Sequence, residues 1–196
     1  MINNLELIKS LLNFTDEGDF YMLYVFKRKK DQPEGERDNH QSVRTIKTYC
    51  VESIEYLEKR YDEIKQLCEM FKARAYIHVQ KQNHKDVSLE MMVSLAERIR
   101  NGQNIQKGLF DSVVGQIKTY EKRWIVDVDS KDNKELLKVK LAIDSCAPFG
   151  KDKIISEIPT KNGYHLITDR FDSEVFKKVF PEIEIQKKNP TLLYIP

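Results

Sequence analysis

From Trp124 onward the chain switches between two hydrophobic periods in a fixed order, and that order limits what it can fold into. Trp124-Ile-Val-Asp-Val128 is a short apolar run. Asn133 to Cys146 carries apolar residues at helical spacing, and Ile154 to Pro159 is β-prone again. Lys161-Asn162-Gly163 reads as a hairpin turn, because Asn-Gly suits positive backbone φ. Tyr164 to Thr168 returns as a strand. Asp172 or Ser173 caps a helix to about Phe180, which Pro181 ends. Ile183 to Gln186 and Leu192 to Ile195 are short strands around Asn189-Pro190.

This is a split βαββαβ order, as in ferredoxin-like and RNA-recognition-type sheets. The upstream half is less regular. It reads as a helix over Asn3 to Phe14, a strand over Phe20 to Phe26, a charged loop over Lys27 to Gln41 and a strand over Val43 to Val51. A long amphipathic helix follows over Glu52 to Phe71, then a strand over Arg74 to Gln80 and helices over Ser88 to Arg100 and Leu109 to Tyr120. The expectation is an α+β protein of two packed lobes, residues 1–119 and 120–196, the second an RNA-recognition-like sheet.

Composition narrows the class. At 196 residues the chain can bury a core without staples. Lys+Arg number 33 against 31 Asp+Glu, a net charge of +2, so any nucleic-acid contact must come from a local patch. Three scattered cysteines suit a reducing cytoplasm and form neither a disulfide framework nor a zinc cluster. The N-terminus lacks the basic and apolar regions of a signal peptide, and no apolar run reaches the ~18 residues of a membrane span.

Asp127-Val-Asp129 is the sharpest candidate site. Period two puts both carboxylates on one strand face, where they repel unless a hard divalent cation sits between them. The plainer alternative is that Asp129-Ser130 opens a loop and caps the next helix. Thr160-Lys-Asn-Gly-Tyr-His165 is second: Gly163 permits close backbone approach, while Lys161 and His165 suit a phosphate. Alone it is also a plain turn followed by a histidine. Glu182 and Glu184 again share a strand face, which by itself is an ordinary exposed edge. Lys27-Arg28-Lys29-Lys30, below Tyr21, Tyr24 and Phe26, suits a nucleic-acid backbone, or else starts a solvated loop. Arg74 and Tyr76 share a strand face and are candidates for the cleft that holds the acids.

In order and spacing these motifs resemble the catalytic core of the archaeo-eukaryotic primase, or primase-polymerase, superfamily. Its members carry an apolar run ending in Asp-x-Asp, a Thr-x-x-Gly-containing turn with x-His, and an apolar residue followed by an acid. Here those read Trp124-Ile-Val-Asp-Val-Asp129, Thr160-Lys-Asn-Gly-Tyr-His165 and Ile183-Glu184. The resemblance covers residues 120 to 196. It implies that Asp127, Asp129 and Glu184 bind two Mg²⁺ or Mn²⁺ ions and carry catalysis. It implies that His165, with Lys161 and Gly163, contacts a nucleoside triphosphate. Lys27, Arg28, Lys29, Lys30 and Arg74 would meet a single-stranded DNA template. The implied activity is metal-dependent nucleotidyl transfer in DNA replication, with replication proteins as further candidate partners and no membrane. The sequence closes soon after Glu184, and the acid there is Glu followed by Lys187 and Lys188. A minimal core from a phage or mobile element fits, as does a non-catalytic nucleic-acid or protein-binding module. A metal-dependent nuclease shares the same two-carboxylate chemistry.

Overall fold

Alternation in the run from Trp124 to Val128 decides how the second half of the chain is built. Trp124, Val126 and Val128 lie in one apolar cluster with Leu136, Val139, Ile143, Leu166 and Phe176. Ile125, between them, belongs to a different cluster, with Tyr21, Leu23, Val25, Leu57 and Ile64. The strand is therefore buried on both faces, and Asp127 shares the face of Ile125.

The computed structural model of this chain describes residues 1–28, 31–32, 43–103, 108–117, 119 and 121–196. It is an α+β protein with six helices and two antiparallel sheets among those residues. The first sheet takes β1 (Ile2–Asn3), β2 (Asp19–Arg28), β3 (Val43–Val51), β4 (Arg74–Ile77) and β10 (Thr191–Ile195) in the order β1-β10-β4-β2-β3, with β5 (Gln82–Asn83) paired to β2. The second takes β6 (Trp124–Val128), β7 (Ile154–Pro159), β8 (Tyr164–Thr168) and β9 (Glu184–Gln186) in the order β7-β8-β6-β9. The helices are α1 (Leu5–Leu11), α2 (Ile54–Phe71), α3 (His84–Arg100), α4 (Leu109–Gln116), α5 (Asn133–Ser145) and α6 (Ser173–Val179).

The caps explain where helices begin. Ser53 accepts from the Tyr56 amide, Asn83 from Lys85, Asp132 from Lys134, and Asp172 from Glu174 and Val175. Asn83 starts α3 four residues earlier than the apolar pattern alone predicts. Helix α2 buries Leu57, Tyr61, Ile64 and Cys68, the face its periodicity predicts. Leu57 and Ile64, both fully buried, each contribute about 1.5–3 kcal/mol.

Two features tie the sheets together. β10 follows β9 in sequence yet lies between β1 and β4 in the first sheet. Asn4, 2% exposed, donates to the Pro159 carbonyl of β7 and the Leu192 carbonyl of β10, each at 2.9 Å. The short β1 and β5 carry no period that a sequence reading can detect. Among the described residues, no helix is long and apolar enough to cross a membrane. All three cysteines are free.

The hairpin after β7 corrects one expectation. Neither Asn162 nor Gly163 adopts positive φ. Gly163 is required for space: a Cβ there would stand 1.9 Å from the Val128 carbonyl oxygen and 2.6 Å from the Ser130 amide. The turn therefore lies directly on the backbone that carries Asp127 and Asp129. Thr160 closes it, its amide donating to the Gly163 carbonyl at 2.8 Å and its hydroxyl accepting from the Gly163 amide at 3.1 Å.

Candidate functional site

Strand register brings the three motifs into one row. Asp127 on β6 is the direct partner of His165 on β8 and, on its other flank, of Glu184 on β9. Direct partners in an antiparallel pair share a face, so the three side chains stand side by side. The Asp127 Oδ1 to His165 Nε2 distance is 3.6 Å. That is an electrostatic contact longer than a hydrogen bond. On the other ring nitrogen, Nδ1 lies 2.9 Å from the buried Thr191 hydroxyl of β10. A carboxylate facing Nε2 and a hydroxyl facing Nδ1 suit the tautomer protonated on Nε2. Burial pushes the His165 pKa down to about 4, against an opposing pull from the Asp129 charge. The imidazole is neutral at pH 7.

Asp127 and Asp129 open into a small cleft of about 130 Å³ on the seam between the sheets. The second sheet contributes Asp127, Asp129, His165 and the Thr160-Lys161-Asn162 turn. The first sheet contributes Arg28, Arg74, Tyr76 and Leu192. Asp129 is exposed and takes no part in capping α5, a role that falls to Asp132. Asp129 is the first residue after β6 and does open a loop, as the plainer alternative has it, but the cap half of that alternative is replaced.

The opposite wall is cationic and held in place. Asp31 accepts from Arg28 Nε at 3.0 Å and from Arg74 Nη2 at 2.9 Å. Burial alone would raise the Asp31 carboxyl, but the Arg28 hydrogen bond and the nearby Arg74 charge bring it below the usual carboxylate range. Phe26 stacks on Tyr76 with ring centroids 4.8 Å apart, which fixes the Tyr76 plane beside Arg74. An anion entering the cleft would meet two preset guanidinium groups on one side and two carboxylates on the other.

Not every residue singled out in the sequence comes to this place. Glu184 is exposed on the edge strand, beside Asp127 in register but outside the lining of the cleft. Lys27 neighbours Arg28 on β2 and points off the cleft by alternation, while Lys29 and Lys30 lie outside the described residues. Lys161 and Gly163 belong to the turn itself. Among the described residues, no three His, Cys, Asp or Glu side chains form a closed metal cage. Asp31 and Thr191 were not visible as site residues: one follows a basic run in a loop, and the other opens a strand far along the chain. No protein-family model, curated protein or solved structure matches this chain.

Proposed function

We propose that the chain is a metal-dependent nucleotidyltransferase of primase-polymerase type, working at the cleft between Arg28, Arg74 and the Asp127–Asp129 pair. The observation that carries this reading is the juxtaposition of paired carboxylates and paired arginines across one narrow space, with a neutral histidine at its floor. The succession β6-α5-β7-β8-α6-β9 and the strand order β7-β8-β6-β9 support the finer reading of the second sheet as RNA-recognition-like.

The donor set fits a hard divalent cation. Mg²⁺ is commonly held by one or two carboxylates, with phosphate and water completing its shell. Asp127 and Asp129 offer oxygen donors of that kind. Asp127 and Glu184 are like charges directly opposite each other, an arrangement that is destabilising unless neutralised. Two such ions, when bound, supply activation of an attacking 3′-hydroxyl and stabilisation of the leaving pyrophosphate.

The protein groups have separate tasks. Arg28 and Arg74 hold the phosphate end of the nucleotide, and Asp31 sets their direction before it arrives. His165 donates from Nε2 to a phosphate oxygen while Thr191 fixes its ring. Lys161, exposed at the turn, adds charge at the mouth of the cleft. Tyr76 packs beside the sugar or base.

The test is primer extension with Mn²⁺ and nucleoside triphosphates, run beside thermal unfolding. Asp127→Asn and Asp129→Asn should abolish incorporation with the fold intact. They should also remove a joint metal-and-triphosphate rise in melting temperature. A ligand at a hundredfold excess over its dissociation constant stabilises by about 2.7 kcal/mol. If neither variant changes extension or the shift, the reading fails. Shortened strands in place of extended ones would assign the site to hydrolysis.

A further inference from the structure

At the opposite end of β6 lies a groove of about 240 Å³ with the reverse electrostatics. Lys122, Arg170, Lys187 and Lys188 line it, and among the described residues no carboxylate does. Among the described residues, Lys122, Arg170 and Lys187 have no ion-pair partner, although the chain as a whole is nearly neutral. Four cations gathered in one groove repel one another, and an anion there relieves that repulsion.

The groove is also rigidly framed. Lys188 Nζ donates to the Gly115 and Gln116 carbonyls at 2.9 and 3.3 Å, at the C-terminal end of α4. Gln80 donates to the Arg123 and Lys187 carbonyls at 2.9 and 2.6 Å and accepts from Thr119. These bonds join the start of β6 to the end of β9, so the cationic side chains rise from backbone segments tied to one another.

Trp124 at its base settles what part of a ligand is recognised. Its ring is only 7% exposed, with Lys187 Nζ 4.7 Å and Arg170 Cζ 5.9 Å from the centroid. An indole this buried, with two cations already against it, offers little open face for a base to stack on. The recognised element is charge rather than a base.

We propose that this groove binds the phosphodiester backbone of a single nucleic-acid strand, without regard to sequence. The choice of a strand over an acidic peptide rests on the nucleotidyl-transfer reading of the Asp127 cleft. Trp124 and Asp127 are three residues apart on one strand, roughly 10 Å along it. The two lie on opposite faces of β6, so a strand held in the groove reaches the acids by crossing the edge of the second sheet rather than by running along one face. The Lys122 groove is the template track, and the Arg28–Arg74 pair is left for the incoming nucleotide.

The test is titration of a fluorescent thymidine homo-oligonucleotide, with chelator in place of divalent cation, over a range of salt concentrations. The variant is Lys122→Gln/Arg170→Gln/Lys187→Gln. Three lost phosphate contacts should reduce the steepness of log affinity against log salt by about 2, since each single-strand contact contributes roughly 0.7. Affinity should fall at least tenfold at low salt. Asp127→Asn should not weaken strand binding, so loss of the nucleotidyl-transfer reading and loss of this one are separately visible. Should the triple variant misfold, Lys122→Gln and Lys187→Gln singly should each remove about 0.7 of slope. An unchanged slope in the variants, or no strand binding by the wild type, overturns the proposal. So does release of the strand by equal charge concentrations of polyglutamate, which would make the groove a general anion site. Release by micromolar inorganic triphosphate would assign it to free polyphosphate instead and overturn it as well.

Discussion

The two ends of β6 differ as much as two ends of a five-residue strand can. At its C-terminal end Asp127 and Asp129 meet Arg28 and Arg74 across the seam, and each charge has an opposite within the same cleft. At its N-terminal end Trp124 sits under Lys187 and Arg170, and among the described residues no carboxylate lines the groove to answer the positive charge. On the proposed function, the first end suits a ligand that carries both signs, such as a metal-bound triphosphate. The other, as proposed, suits a simple polyanion. The difference teaches that a nearly neutral chain can separate its charges along one strand, which net charge alone conceals.

The comparison breaks most completely through Gly163, the contact that presses the turn onto the acid-bearing end. Gly163→Ala places a methyl group where the Val128 carbonyl oxygen already is. Overpacking against backbone should cost on the order of 3 kcal/mol or more, read as a lower urea midpoint at unchanged slope. Wild-type stability would mean that the turn can lift away and that the acid end is not pinned.

Acid titration separates the ends next. Burial holds both His165 and His78 near pKa 4 in the folded state, below the ordinary value of 6.5. Between those pH values the unfolded chain binds the extra protons, so stability is full above about pH 6.5 and declines as pH falls toward 4. His165→Gln should remove about one proton from that dependence, up to roughly 3 kcal/mol across the window. A stability profile over pH 4–7 that is identical in the variant would show that His165 is already protonated or solvated.

Asp31→Ala tests the cationic wall. It frees Arg28 and leaves the buried Arg74 unanswered, so it should destabilise by about 1–3 kcal/mol. It should also shrink the triphosphate-dependent rise in melting temperature while leaving strand binding at the Lys122 groove in place. Equal loss of both would mean the two ends are one site. The smallest effect is expected at the surface of the other end. Arg170→Gln removes an exposed cation from the Trp124 face and should cost about 0.5–1 kcal/mol by thermal unfolding. A larger loss would show that Arg170 holds the groove together instead of merely charging it.

The sequence carried the second sheet well, for a physical reason. The ranges of β6, β7 and β8 coincide with their apolar runs, because strands buried on one or both faces leave a pattern that solvent-facing segments do not. Which residues meet was only half legible. Asp127, Asp129 and His165 are drawn together by register, and register follows from alternation that can be read in the chain. Asp31 and Thr191 complete the site from elsewhere, through contacts spanning 43 and 26 residues to Arg74 and His165, and nothing local marks them. The turn at Gly163 was found for the wrong reason: glycine there answers to crowding, and φ alone would not have required it. The basic groove escaped because its residues come from the approach to β6, the end of β8 and the end of β9, no two of which form a run longer than Lys187-Lys188.

The path of β10 has a mechanical consequence. A strand that leaves the second sheet and runs through the interior of the first acts as a rivet. The hydroxyl that orients His165 sits at its head, in Thr191. The two walls of the cleft are thereby joined through continuous hydrogen-bonded sheet. Arg28 and Arg74 cannot swing away from Asp127 as a jaw would without shearing β10 from β4. Under the proposed function, discrimination among nucleotides would come from fit within a preformed slot, and no binding energy would be spent on closing it.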